Sequence, residues 1–310
     1  MQQKTICKFV PLLVLLPALL FVPLVTVMAA GKSPSHVYQI TENIVSEIDI
    51  LREAIGVYDE PTEPDPQWGK SPIHVYSKGL EVLEKISKAQ RKLGMIPTEV
   101  GEIPLREIAP SDTFELVEKI LLQLRSMKEQ LYVDDKIEEA AFVGAKMPSQ
   151  VYENLWLASY MLDGLIPPIK PKDVYRNIQY LHDELGLIAT NLGVTLDLDA
   201  PKVKGRKRLR HVGQQALRAL YKVRNLEMRL KEMIATNVPD ISLVRITPSD
   251  IYDMTNMLLA EMVRIKVHLK IDLPRGDQPT PGRIKTKEVF AQMLLVVNNL
   301  QKIIKAVASK

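Results

Sequence analysis

The sequence predicts an all-α protein made of eight degenerate single-helix repeats of about 38 residues, packed as one helical array or as two four-helix bundles. Three observations carry this expectation. A proline-led string ending in Val-Tyr returns along the chain in near-constant phase, and each return opens a stretch with apolar residues at helical spacing. The composition is rich in Leu, Ile, Val and Met but holds only 5 Phe and 10 Tyr, which suits helix-on-helix packing better than a sheet core.

At the N-terminus, Lys4 and Lys8 precede an apolar run over residues 9–28 that ends in Ala29, Ala30 and Gly31. This is the order of a secretory signal peptide, so residues 1–30 are read as one and the chain is expected to be periplasmic or secreted. The run approaches the roughly 20 residues that span a bilayer, which makes an inner-membrane anchor by an uncleaved signal the alternative. Pro11, Pro17 and Pro23 inside it favour removal. Cys7, the only cysteine, would leave with the signal, so the mature chain is expected to have no disulfide and no thiolate. No later segment is apolar enough to span a membrane. Basic and acidic residues number 41 and 37, a balance whose overall field names no partner.

The repeats follow in order. Pro34-Ser35-His36-Val37-Tyr38 returns as Pro72-Ile73-His74-Val75-Tyr76, Pro110-Ser111-Asp112-Thr113-Phe114 and Pro148-Ser149-Gln150-Val151-Tyr152, starts that are 38 residues apart. A fifth, Pro171-Lys172-Asp173-Val174-Tyr175, arrives early. The period then resumes through a decayed copy, Leu209-Arg210-His211-Val212-Gly213, a clear one, Pro248-Ser249-Asp250-Ile251-Tyr252, and a last, Thr286-Lys287-Glu288-Val289-Phe290. Proline fits the first helical position, where it loses no hydrogen bond and brings a helical φ. Ser33, Ser71 and Thr247 stand before it as N-caps, and the acidic or amide residue two places after it completes a capping box. Downstream, Val37, Ile40, Ile44, Ile48, Leu51 and Ile55 in copy one, and Ile251, Met254, Leu258, Met262, Ile265 and Leu269 in copy seven, keep one helical face. These heptad-like steps predict helices packed nearly parallel or antiparallel.

Each helix should be about 33 Å long, and linkers of about 15 residues reach about 50 Å. Consecutive helices are therefore free to run parallel, with the linker returning along the bundle, or antiparallel. Pro61, Pro64 and Pro66 keep the first linker non-helical, while residues 134–145 have room for a short helix. Between copies four and five only residues 166–170 intervene, which predicts an antiparallel hairpin and divides the chain into repeats one to four (31–166) and five to eight (167–310).

Three sets of residues are candidates for function. Lys204, Arg206, Lys207, Arg208 and Arg210 form a basic run where the repeat is most decayed; such a cluster holds phosphate, anionic lipid or acidic polysaccharide, or is merely a solvated helix start. Asn154 and Asn177 belong to a position that faces the core by phase yet is polar in five copies, with Lys78, Gln215 and Gln292; it either lines a pocket for a small ligand or sets helix register. His36, His74 and His211 share one repeat position and are candidate metal ligands if helix starts gather at one end, or exposed first-turn residues. No phosphate loop, HExxH, nucleophile elbow or dinucleotide fingerprint is present. No cofactor is expected. The sequence thus points to an exported, non-enzymatic binding or scaffold protein with a macromolecular, anionic partner other than nucleic acid. A periplasmic sensor or carrier of a small molecule or metal, bound between helix starts, is the alternative.

Overall fold

The computed structural model describes residues 31–279 and 281–309. The signal-peptide reading and Cys7 lie outside them. Eight helices account for the regular structure among the described residues: α1 (Pro34–Ala54), α2 (Pro72–Lys92), α3 (Pro110–Gln130), α4 (Pro148–Asp163), α5 (Pro171–Leu192), α6 (Leu209–Glu227), α7 (Pro248–His268) and α8 (Thr286–Ala308). Every helix starts at the first residue of a repeat motif. Residues 134–145 form no helix.

The polar residue at the third position of the motif closes the N-terminus in all eight copies, the histidines included. Its side chain accepts the N-cap N–H at 2.6–3.1 Å, from Ser33 to His36 Nδ1 through Lys285 to Glu288. At the other end, a left-handed residue lets the chain fold back on α1, α2, α3, α5 and α7. Glycine takes that conformation after α1, α2 and α5, Tyr132 after α3 and Lys270 after α7.

Helix contacts sort into two sets of the same design. α1 and α2 each pack on α3 and α4, and α5 and α6 each pack on α7 and α8, so the first two helices of each set sit diagonally in a four-helix bundle. Pro34, Pro72, Pro110 and Pro148, with Val37, Val75, Thr113 and Val151, ring one small apolar recess. Pro171, Leu209, Pro248 and Thr286 do the same with Val174, Val212, Ile251 and Val289. Four starts at one end mean four parallel helices, with the linkers carrying the chain back along the bundle. An extended linker such as 55–71 reaches about 55 Å, ample for a helix about 32 Å long.

Residues 164–170 extend to about 25 Å at most, no more than the length of α4, so α5 sets off in the opposite direction. The two bundles are antiparallel. Along the α2–α7 contact, His74 meets Glu261, Lys78 meets Asp253 and Lys85 meets Ser249, descending in α7 as α2 ascends. The expected α4–α5 hairpin is corrected in part: the chain reverses, but the two helices do not pack along each other. α4 instead reaches the second bundle by side chains, Trp156 Nε1 donating to Asp253 and Tyr160 Oη donating to Asp250 of α7. Aliphatic residues of all eight helices join in one core within Lys32–Lys310, which is a compact unit by itself.

Candidate functional site

The basic run lies at the end of the second bundle, and the decay of its repeat builds the surroundings. Position five of the motif is Tyr or Phe in every other copy and Gly213 in α6. A Cβ there would fall 2.1 Å from Ile246 Cδ1 and 3.3 Å from Leu243 Cδ2, so the loop before α7 occupies the space that an aromatic ring fills elsewhere. This holds Val244 and Arg245 beside the start of α6. Together Arg206, Lys207, Arg208 and Arg210 with Leu243 and Val244 line an open concavity of about 400 Å³. Lys204 precedes it across Gly205, which takes a left-handed φ of 70°. Lys207 lies over the Phe290 ring, 4.8 Å from its centroid. Among the described residues none of Lys204, Arg206, Lys207, Arg208, Arg210 and Arg245 forms an ion pair.

The parallel bundle extends this charge across its end. The N-cap residues of α5, α6 and α8 are Lys170, Arg208 and Lys285, and only α7 has a good cap, Thr247. A cation at an N-cap lacks the side-chain acceptor that Ser, Thr, Asp or Asn supplies, and it faces the positive end of the helix dipole. Lys172, Arg210 and Lys287 stand in the first turns just behind them, all exposed. The carboxylates of the same ring, Asp173, Asp250 and Glu288, are engaged by N-cap N–H groups. At the start end of the first bundle the corresponding N-caps are Ser33, Ser71, Ala109 and Met147.

Asn154 and Asn177 are not brought together. Asn154 bridges α4 to α1 through Thr41 and Glu42. Asn177 bridges α5 to α7 through Thr255 at 3.0 Å and Asn256 at 2.7 Å. Gln292 meets His182 across α8 and α5. These pairs fix helix register inside each bundle and do not line a shared pocket between helix starts. The three histidines are likewise apart: His36 lies against Phe142 with the rings tilted, His74 donates from Nε2 to Glu261, and His211 caps α6 in the other bundle. In each, Nδ1 is committed to the cap. Among the described residues no three His, Cys, Asp or Glu side chains converge as a metal site would require.

What sequence reasoning missed lies between the bundles. Lys78 Nζ sits 2.9 Å from Glu81 and 3.7 Å from Asp253, over the Trp156 ring, all fully buried. Lys85 reaches Asp163 at 2.7 Å and the Ser159 carbonyl at 3.0 Å. Burial, then Glu81, pushes the Asp253 carboxyl well above its usual range; burial also acts on Glu81, but Lys78 and Lys85 more than offset it and hold Glu81 low. Glu184 and Lys266 pair at 2.7 Å, and Arg264 joins Glu227 and Glu261. Beside this network runs a cleft of about 460 Å³ between α2, α5 and α7, lined by Glu84, Lys88, Arg176, Asn177 and Tyr180 among others. Arg275 closes one side by pairing with Glu102 at 3.0 Å and stacking on Tyr180. Its charged side chains are largely paired with one another, as Glu84 is with Lys88 and Arg176. The available signal was a row of charges at helical spacing, Lys78, Glu81 and Lys85, on a helix that already had an apolar face.

Among the described residues no helix is long and apolar enough to cross a membrane. Comparison with protein-family models, with curated proteins and with solved structures finds no match to the chain.

Proposed function

We propose that this chain is an exported, non-enzymatic binding or scaffold module that holds an anionic macromolecular surface with the basic end of its second bundle. The observation that carries the reading is the set of exposed cations without carboxylate partners, Lys204, Arg206, Arg208 and Arg210, at an end where three of four N-caps are also cationic. Cations placed where a Ser or Asp cap would stabilise the helix cost stability, and departures from local rules of this kind concentrate at working surfaces. The signal-like residues 1–30 support an address outside the cytoplasm, which disfavours nucleic acid as the partner.

The test is retention of residues 31–310 on an immobilised sulfated polysaccharide, used as a generic polyanion, across a salt gradient. The wild type is expected to elute at clearly higher salt than a variant with Lys204, Arg206, Lys207, Arg208 and Arg210 all changed to Gln, because exposed charge attraction is screened. Equal elution of the two at low salt would sink the reading. The 460 Å³ cleft favours a second reading, a carrier of a small polar ligand; it sits between bundles rather than between helix starts.

A further inference from the structure

We infer that the partner of the basic end is an anionic lipid surface, on which the second bundle stands end-on with Val244 entering the interfacial layer. This rests on the anion-binding reading above and names its partner. The first argument is shape. Because α5 to α8 are parallel, their four starts ring one recess and lie at one end of the bundle. Neighbouring helix axes are about 8–10 Å apart, so the end is a blunt face wide enough for several lipid headgroups, not a groove for a single extended chain.

Charge is the second argument. Lys170 and Lys172 on α5, Arg208 and Arg210 on α6, Arg245 before α7, and Lys285 and Lys287 on α8 are exposed around that face. Each helix adds about half a positive charge from its own dipole at the same end. Cations spread around the rim of a blunt face can all approach a planar anionic layer at once, and each counts separately there.

The third argument separates lipid from a soluble polyanion. Val244 is 92% exposed and lines the same concavity as Arg206, Arg208 and Arg210. It is not a loose loop tip, because Leu243 and Ile246 on either side are seated against Gly213. A hydrated polyanion offers nothing to an apolar side chain held out in this way. A bilayer interface does, and an apolar residue ringed by Lys and Arg is the side-chain arrangement of interfacial membrane binders.

The experiment is co-sedimentation of residues 31–310 with vesicles of phosphatidylcholine alone and of phosphatidylcholine mixed with phosphatidylglycerol. Binding is expected only to the mixed vesicles. At about fivefold in partitioning per cation near the surface, the five-site Gln variant should lose more than a hundredfold. Val244→Ser should lose several-fold on vesicles yet elute from the sulfated polysaccharide with the wild type, and Val244→Trp should bind vesicles more tightly with a blue-shifted emission. Helical circular dichroism of each variant reports whether it folds, and Val244, being exposed, is not expected to matter there. If the wild type binds the polysaccharide but not the mixed vesicles, or if Val244→Ser matches the wild type on vesicles, the lipid partner is wrong while the anion-binding reading stands. If it binds neither, both fall.

Discussion

Lys78→Met tests whether the buried charges between the bundles are organised as a balanced set. Burial and Glu81 push the Asp253 carboxyl toward its neutral form, and to the extent that it is neutral the positive charges of Lys78 and Lys85 match the negative charges of Glu81 and Asp163. Methionine fills similar volume, so the substitution removes little packing and leaves Glu81 short of its nearest cation in a buried site. Removing one partner of a buried pair costs about 3–5 kcal/mol. For a chain of this size about 2–4 °C accompanies each kcal/mol, so the thermal midpoint should fall by on the order of 10 °C. Adding Glu81→Gln should restore most of the loss, because a neutral pair carries no buried unpaired charge. Asp253→Asn alone should cost about 1 kcal/mol or less, since an amide reproduces a protonated carboxyl and can still accept from Trp156 Nε1. Thermal and urea unfolding followed by far-UV circular dichroism measure all three. A Lys78→Met midpoint within a degree or two of wild type, or a double variant no more stable than the single, would refute the charge assignment.

The basic N-caps and the acidic network make further expectations. Changing Lys170, Arg208 and Lys285 together to Ser should raise stability, by about 0.5–1 kcal/mol at each site, while lowering the salt needed to elute the protein from a polyanion; a gain in both properties would contradict the assigned trade. Burial first, then Glu261, pushes the Glu227 carboxyl up to about 8 against the pull of Arg264. A folded value above the unfolded 4.5 means that the stability linked to this proton is complete below about pH 4.5 and is lost as the pH rises through about 8. Urea midpoints of the wild type should therefore carry a decline over that window, on the order of a few kcal/mol, that Glu227→Gln lacks; parallel pH profiles for the two would show that the shift is absent.

Helix starts were legible to the residue because several weak signals coincide there: proline, a polar cap, a box residue and the onset of a heptad-like face. Even α6 and α8, which have Leu209 and Thr286 where the other six copies have proline, kept their phase. Direction was not legible, because a linker like 55–71 is long enough for either course and carries no residue that forbids one of them. The short 164–170 segment did specify reversal, but that α4 bonds to α7 depends on Trp156 and Tyr160 finding Asp253 and Asp250, partners some ninety residues away. Repeat equivalence misled over the histidines. His36, His74 and His211 share a local task, closing a helix start, and equivalence in sequence implies the same task in separate places. The basic run was legible as charge; that Gly213 draws Leu243 and Ile246 toward it was not, since only the folded chain shows what enters the space a missing ring leaves. The buried network was hidden most completely. Lys78 stands at a core-facing position by phase, but the partners of Lys78, Glu81 and Lys85 come from both α4 and α7, as Ser159, Asp163, Ser249 and Asp253, and spacing along α2 does not foretell them.

The parallel arrangement ties the fold to the proposed use of its end. Four parallel helices align their dipoles, which is unfavourable within a bundle, and placing the two bundles antiparallel offsets this because each positive end then lies beside a negative one. At the first bundle's starts the N-caps are uncharged, Ser33, Ser71, Ala109 and Met147, and one box residue, Asp112, is a carboxylate; at the second bundle's starts three box residues, Asp173, Asp250 and Glu288, are carboxylates. The second bundle has the same topology and could carry the same caps, yet Lys170, Arg208 and Lys285 reinforce the field at three of its four helix starts. The scaffold is therefore indifferent to which caps it carries, and its stability argues for the polar ones. What the cationic caps add is positive charge at the end of the bundle where Val244 is exposed beside Arg206, Arg208 and Arg210.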